Sequence, residues 1–371
     1  MMSSASTVFF SDSRASYKEN LPAKLGRLLD SFDLETMIPP RSLVAVKLHF
    51  GERGNVAFIR PNFISCIVDR IRALGAAPFL TDTNTLYVGT RGDSVAHIHT
   101  AVRNGFAYAV VNAPIIIGDG LRGANSQSVG IDQQILRKAH LAGEIVEADV
   151  LVSAAHFKGH DLCGFGGTLK NLGMGCASRK GKMVQHSGLA PKVKRKKCVG
   201  CGDCVSHCSP SAITLKEGKA FIDPEKCVGC GECIQICPNE AVHIRWNSDI
   251  PLFQKKMVEY AFAVLKDKKG KALFLNFLLQ VSPGCDCADF NDAPIVPDSG
   301  ILASTDPVAI DQASVDMVNR HGALENSCLE KNRGTGEDKF RGVYPNIDWS
   351  IQLDYAEKIG LGRREYKLIS I

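Results

Sequence analysis

Apolar residues recur along this chain in short runs separated by stretches of helical period. Residues 43–50 (LVAVKLHF) predict a buried strand. Residues 60–74 predict an amphipathic helix, with Phe63, Ile64, Ile67, Val68 and Ile71 at helical spacing. Gly75 stops that helix, and Pro78-Phe79-Leu80-Thr81 reads as a second strand ending at Asp82. A helix over 94–104 follows, then an apolar run over 109–117. Glu147-Ala148-Asp149 leads into a further buried strand over 150–154. Toward the C-terminus, 252–266 reads as helix, 272–278 as strand, 307–319 as helix and 366–371 as a closing strand. Alternating β and α elements predict an α/β fold: a mostly parallel sheet with helices on both faces.

One stretch breaks this alternation. Cys198-x-x-Cys201-x-x-Cys204-x-x-x-Cys208 is followed by Ser209-Pro210, and Cys227-x-x-Cys230-x-x-Cys233-x-x-x-Cys237 by Pro238. The runs superpose with one constant offset, which also maps Lys197 onto Lys226 and Ala212 onto Ala241, the mark of a duplicated unit. This is the spacing of bacterial two-cluster ferredoxins, where the fourth cysteine of each run ligates the other run's cluster. Three cysteines at intervals of three wrap one loop around three iron corners, and the fourth iron is reached from the other repeat. The expected cofactors are two [4Fe–4S] clusters. One is assigned to Cys198, Cys201, Cys204 and Cys237, the other to Cys227, Cys230, Cys233 and Cys208. Disulfides would need an oxidising compartment, and zinc sites usually pair C-x-x-C knuckles rather than showing a triple run. Ser209 displaces the usual proline by one place, which touches the turn and not a ligand. The expected organisation is an α/β domain over 1–190, an inserted α+β dicluster ferredoxin-like domain over 191–246, and the rest of the α/β domain over 247–371.

Composition is that of an ordinary globular protein, and 371 residues suffice for two domains. Met1–Thr7 lacks the basic start and apolar core of a signal peptide, and the longest apolar candidate, 272–279, is interrupted by Asn276. No membrane span and a reducing cytoplasm are therefore expected. The net charge of +5 says less than its distribution. Lys192-Val193-Lys194-Arg195-Lys196-Lys197 runs straight into the first cluster cysteine. Such a run is a solvated linker or a docking strip for an acidic redox partner protein. No helix-turn-helix, zinc-finger or RNA-binding signature supports nucleic acid.

Polar residues gather at the ends of the predicted strands, where ligands of parallel sheets bind. The first strand delivers Lys47, His49 and Glu52; the second Asp82, Asn84 and Thr85, followed by Arg91. The strand ending at Ala154 delivers His156, Lys158, His160 and Asp161. Each alone suits a capping or hydrogen-bonding role, whereas their convergence predicts a pocket. The glycine-rich phrase 164–175 is neither a P-loop nor a dinucleotide fingerprint, yet it allows close backbone approach to a ligand. Lys170 and Asn171, with Arg179, Lys180, Lys182 and His186, add positive charge nearby, so an anionic small-molecule substrate is expected. Candidate acid–base groups or metal ligands are His49, His156 and His160, with Lys47, Lys158 and Lys170 neutralising substrate charge and Asp82 and Asn84 beside them. Cys285-Asp286-Cys287 places two thiols together, as metal ligands, a redox pair or buried free thiols. Asp306-Pro307 suits a capped helix start, with Asp311 one turn on. Cys66 falls on an apolar helix face, and Cys163 and Cys176 flank the glycine phrase.

The phrases VKLHFGE, TDTNTLYVGTRG, HFKGHDLCGFGGTLKNLGMG, ASRKGKMVQH and GCDCADFNDAPIVPDSGILASTDPVAID resemble the DUF362 family. That family comprises uncharacterised prokaryotic proteins, many with an inserted two-cluster ferredoxin module. The resemblance implies an α/β domain carrying clusters and supplies no substrate. The sheet-end His and Asp/Asn pattern is more distantly similar to the N-terminal domain of lactate-racemase-like proteins. Two functions follow as expectations: an oxidoreductase whose clusters serve a substrate or second metal in the α/β domain, or an electron carrier that uses that domain for docking.

Overall fold

In the computed structural model, the described residues are 5–186, 190–244 and 249–371. Met1–Ser4 and Trp246, which marks the expected end of the inserted unit, lie outside them. The main sheet has seven strands: β1 (Ser6–Asp12), β2 (Leu43–Lys47), β3 (Ala77–Thr81), β4 (Val150–His156), β5 (Ala272–Leu278), β6 (Gly300–Ser304) and β7 (Tyr366–Ser370). Their spatial order is β7-β1-β6-β5-β4-β2-β3. β2, β3, β4 and β5 run parallel, as do β1 and β7, while β6 is antiparallel to both of its neighbours. A mostly parallel α/β sheet is therefore observed.

Side-chain alternation sorts the sheet into two cores. Ala45, Leu151, Phe274 and Leu302 face one side, and Val44, Val46, Val150, Val152, Leu273 and Leu275 the other. The second side is closed by helices α1 (Leu21–Leu29) and α2 (Pro61–Ala73). Phe63, Ile64, Ile67, Val68 and Ile71 of α2 are all buried, as their spacing predicts. α3 (Ser94–Arg103) follows β3. The first side is covered by α4 (Thr168–Gly173), α6 (Ile250–Leu265), α7 (Pro307–Asn319) and α8 (Ser350–Lys358), with α5 (Arg179–His186) beside α6. Caps fix these starts: Asp249 accepts from Leu252 N (2.9 Å), and Asp306 from Val308 N and Ala309 N (2.8 and 2.9 Å).

Three local readings change. The predicted first strand stops at Lys47, because the chain turns at His49–Gly51, where Gly51 has φ +79° and donates to His49 Nδ1. The apolar run 109–117 becomes the short helix Tyr108–Val111 and one bridge from Ile115 to Leu80. β1 and β6 were not anticipated, each being a short apolar run bounded by serine or glycine.

Residues 190–244 carry a small core of their own, made by Cys198, Cys204, Ile213, Ala220, Cys233, Ile234, Ala241, Val242 and Ile244. Lys192–Val193 pairs antiparallel with Val242–His243, and Ile213–Lys216 with Lys219–Ile222. Leu86 and Met183, from outside this stretch, belong to the same core and join it to the larger body.

Candidate functional site

Because β2 to β5 are parallel, their carboxyl ends open at one edge of the sheet, and a cavity of about 270 Å³ lies there. Lys47, His49, Asp82, Lys158, His160 and Lys170 all line it. Asn84 and His156 are not on its wall. Asn84 holds a turn, donating to Asp119 Oδ1 (3.0 Å) and Gly120 O (2.8 Å). His156 has both ring nitrogens engaged, Nδ1 with Asp286 Oδ1 (2.8 Å) and Nε2 with the carbonyl oxygens of Leu279 and Gln280 (3.0 and 3.2 Å).

The cavity floor is an ion-pair network. Lys47 Nζ meets Asp82 Oδ1 (3.0 Å) and donates to Asn171 Oδ1 (2.9 Å). Arg91 spans Asp82 Oδ2 (3.1 Å) and Glu52 Oε2 (3.3 Å) and donates to the Tyr87 hydroxyl. Burial raises Asp82, but Lys47 and the neighbouring histidines outweigh it and hold the carboxyl well below its ordinary range. Lys158 sits 3.4 Å from the buried Asp286 and donates to His156 O (2.8 Å). Lys182 donates to the carbonyls of Thr83 and Asn84, and burial pushes it down to about 8. Lys47, Arg91, Lys158, Lys170 and Lys182 line the cavity against Asp82 and Asp161, so its balance favours an anion. Leu86, Leu162, Met174 and Phe253 supply an apolar wall, with His186 stacked on Phe253 at 4.6 Å between ring centres.

His49 and His160 each accept a backbone N–H at Nδ1, from Gly51 (3.0 Å) and Leu162 (3.1 Å). That places the ring proton of the neutral form on Nε2 in both. Burial lowers the pKa of each, His49 the more strongly. They can therefore hold or receive a proton at a fixed nitrogen.

The loop after β5 brings Cys285 and Cys287 to the same place. Cys287 lines the cavity, while Cys285 stands behind it and accepts from Lys170 Nζ (3.2 Å) and from Cys287 N (3.4 Å). His160 lies close enough to favour the Cys285 thiolate as well. The bond from Cys287, Lys170 and His160 together outweigh burial and hold the Cys285 thiol well below its ordinary value, while Cys287 goes well above. Asp286 points the other way, into His156 and Lys158.

The duplicated cysteines line two small cavities. One is walled by Cys198, Cys201, Cys204 and Cys237, the other by Cys208, Cys227, Cys230 and Cys233. Each set therefore takes three cysteines from one run and one from the other. Backbone amides point at sulfur in matching positions of the repeats: Ala212 N to Cys208 (3.3 Å) and Ala241 N to Cys237 (3.2 Å). A third such bond runs from Ala220 N to Cys198 (3.4 Å). Burial, then neighbouring thiols, raises Cys204 and Cys233, a cost that a bound soft cation relieves. Among the described residues no three His, Cys, Asp or Glu side chains are gathered closely enough to hold a single metal ion.

The second cysteine loop rests on the cavity's lip. Gln235 Nε2 donates to Thr85 O (3.2 Å) and Tyr87 O (2.8 Å), and Glu232 pairs with Arg179 (3.0 Å) and Arg122 (2.5 Å). At Gly231, a Cβ would come within 2.9 Å of Leu86, which lines the cavity from the other side. Cys201 is exposed at the far set, beside the exposed basic residues 194–197. Cys66 is half-buried and donates to Asn62 O, and Cys163 and Cys176 are buried, each pushed up to about 12 chiefly by burial.

Phe253, Met174, Tyr87 and Asp286 were not singled out from the sequence. The first two look like ordinary helix core, and only Asp286, a carboxylate between two cysteines, carries a readable signal.

A family model described as a domain of unknown function, DUF362, matches residues 44–316. No curated protein matches the chain. Among solved structures, the lactate racemase apoprotein from Thermoanaerobacterium thermosaccharolyticum is similar at 12% identity with a TM-score of 0.36, covering 74% of this chain and 51% of that one. The chain thus spans about half the length of that structure.

Proposed function

The chain belongs to the DUF362 family, whose description assigns no activity, and from its site we propose an iron–sulfur oxidoreductase acting on an anionic small molecule in the sheet-end cavity. The observation that carries this reading is the contact of the second cysteine loop with the cavity lip, Gln235 with Thr85 and Tyr87 and Gly231 against Leu86. Cys198, Cys201, Cys204 and Cys237 would hold one [4Fe–4S] cluster, and Cys208, Cys227, Cys230 and Cys233 the other. Such clusters, when bound, supply one-electron transfer at a potential tuned by hydrogen bonds to sulfur and by exposure. The amides of Ala212, Ala220 and Ala241 suit that tuning. In the cavity, Lys47, Lys158, Lys170 and Lys182 bind and orient an anion, His49 and His160 hold protons at Nε2, and Leu86 and Phe253 exclude water.

Anaerobic purification followed by iron and sulfide analysis tests the reading. About eight irons and eight sulfides per chain, with a paramagnetic signal on reduction, are expected. Cys204→Ser should lose about half of the iron. Absence of iron after anaerobic reconstitution refutes the proposal. A second reading, an electron carrier whose α/β domain only docks partners, is favoured by the exposed basic strip beside Cys201. Under that reading His160→Gln leaves partner reduction unchanged and no small molecule co-purifies. The oxidoreductase instead retains an anionic molecule, visible by native mass spectrometry.

A further inference from the structure

Cys285 and Cys287 are not required by the cluster sets, yet Cys287 lines the cavity and Cys285 stands directly behind it. Their loop is pinned on every side. Gly159 N donates to Ser282 O (2.9 Å), Tyr344 Oη to Pro283 O (2.8 Å), and Glu52 N to Asp286 O (3.0 Å). Lys170 has its Nζ on Cys285, and no carboxylate pairs with it among the ion pairs of the described residues. A cation and a backbone amide thus converge on one sulfur, with an imidazole beside it, and the cysteine that supplies the amide lines the cavity. Cys163, by contrast, has its thiol on the Met257 sulfur and its pKa raised chiefly by burial.

We propose that Cys285 and Cys287 form a redox-active dithiol/disulfide pair that relays two electrons to the anionic acceptor in the cavity. The proposal rests on the oxidoreductase reading for its electron source, a pair of one-electron iron–sulfur donors. In the reducing half, the Cys285–Cys287 disulfide takes up two electrons and one proton. The S–S bond breaks, Cys285 is left as a thiolate held by Lys170 and His160, and Cys287 carries the proton. In the oxidising half, the bound two-electron acceptor gains both electrons and the proton of Cys287, and the S–S bond forms again. Lys170 stabilises the reduced form and therefore makes the pair a stronger oxidant, as thiolate-stabilising groups do in other dithiol catalysts. Cys287 is the sulfur an acceptor reaches, since it lines the cavity and Cys285 does not.

The test equilibrates the full chain, purified anaerobically, in a series of reduced to oxidised dithiothreitol ratios. Acid quenching, alkylation and peptide mass spectrometry then read Cys285 and Cys287. The expected result is one two-electron transition, in which the peptide carrying both cysteines loses two hydrogens and resists alkylation. Lys170→Met should shift the equilibrium toward disulfide by tenfold or more, about 30 mV per tenfold. Lys170→Arg should restore it in part, separating the charge effect from lost packing. Both cysteines alkylating fully at every ratio overturns the proposal, as does zinc held by the pair and released on alkylation. Iron content is measured on the same sample. Iron without the two-electron transition sinks the dithiol alone. A two-electron transition without iron removes the electron source and leaves a dithiol that works with another reductant.

Discussion

Gly159 shows how closely single residues are placed around the sulfur pair. A Cβ there would lie 1.9 Å from Pro283 O, in the loop that carries Cys285. Gly159→Ala must displace that backbone, and overpacking of this kind costs about 1–3 kcal/mol. The variant should unfold earlier in urea, and its Cys285 should alkylate more slowly at neutral pH than in the parent, since the loop leaves Lys170 and the thiolate loses its cation. Sequence reasoning found residues that meet at this cavity but not which of them face it. Lys47, His49, Lys158, His160 and Lys170 were legible because basic and imidazole groups cluster after predicted strands. His156 and Asn84 looked equivalent in the sequence, yet each is engaged behind the wall. Which face of a turn a side chain takes depends on hydrogen bonds to distant loops, and no local pattern records those.

At the scale of elements, the short helix α4 is held by a partner from far along the chain. Asp311 of α7 accepts from Thr168 N (2.7 Å) and Leu169 N (2.9 Å), while Asn276 of β5 donates to it (2.8 Å). The carboxylate thereby satisfies the first amides of the helix that presents Lys170 and Asn171. Asp311→Asn turns one acceptor oxygen into a donor facing an amide, which should cost about 1–3 kcal/mol. The measurement is chemical denaturation, with Asp316→Asn on the same helix as the control. Hydrogen exchange should rise first over 168–172. The strand-to-helix alternation that betrayed most of the sheet said nothing of this link, because capping across more than a hundred residues has no periodic trace. Periodicity did find α2 and α7, whose buried faces are continuous. It missed β1 and β6, whose pairing is supplied by neighbours in space.

For the whole molecule, buried neutral histidines set the acid limit. His97 and His140 are each pushed down to about 4, chiefly by burial; His97 faces Asp82, which pulls it back up, and Arg91 and Lys182, which push it further down. In the unfolded chain a histidine titrates near 6.5. Between about pH 6.5 and 4 these two histidines therefore bind more protons in the unfolded state and their contribution to stability falls with pH, partly offset by the buried Asp119 and Asp311, whose carboxyls are raised to about 6. Above it the contribution is complete. Thermal melts should show a falling melting temperature from pH 6.5 to 4, and His97→Phe, which keeps the edge contact with Phe50, should flatten that slope. A slope unchanged in the variant would remove His97 from the account.

Leu86 and Cys287 wall one cavity from opposite sides of the cysteine-rich stretch in chain order. So do β4 and β5, adjacent in the sheet with Leu151 opposite Ala272. During synthesis the ribosome delivers β4, then every cluster cysteine, and only afterwards the central strand β5 and the sulfur loop that follows it. Domains emerging early fold early. The cysteine-rich core can thus assemble while half of the cavity is still missing. Completion of the sheet then closes the cavity against a stretch already in place. Chain order becomes an assembly schedule, with the cysteine core first and the cavity last.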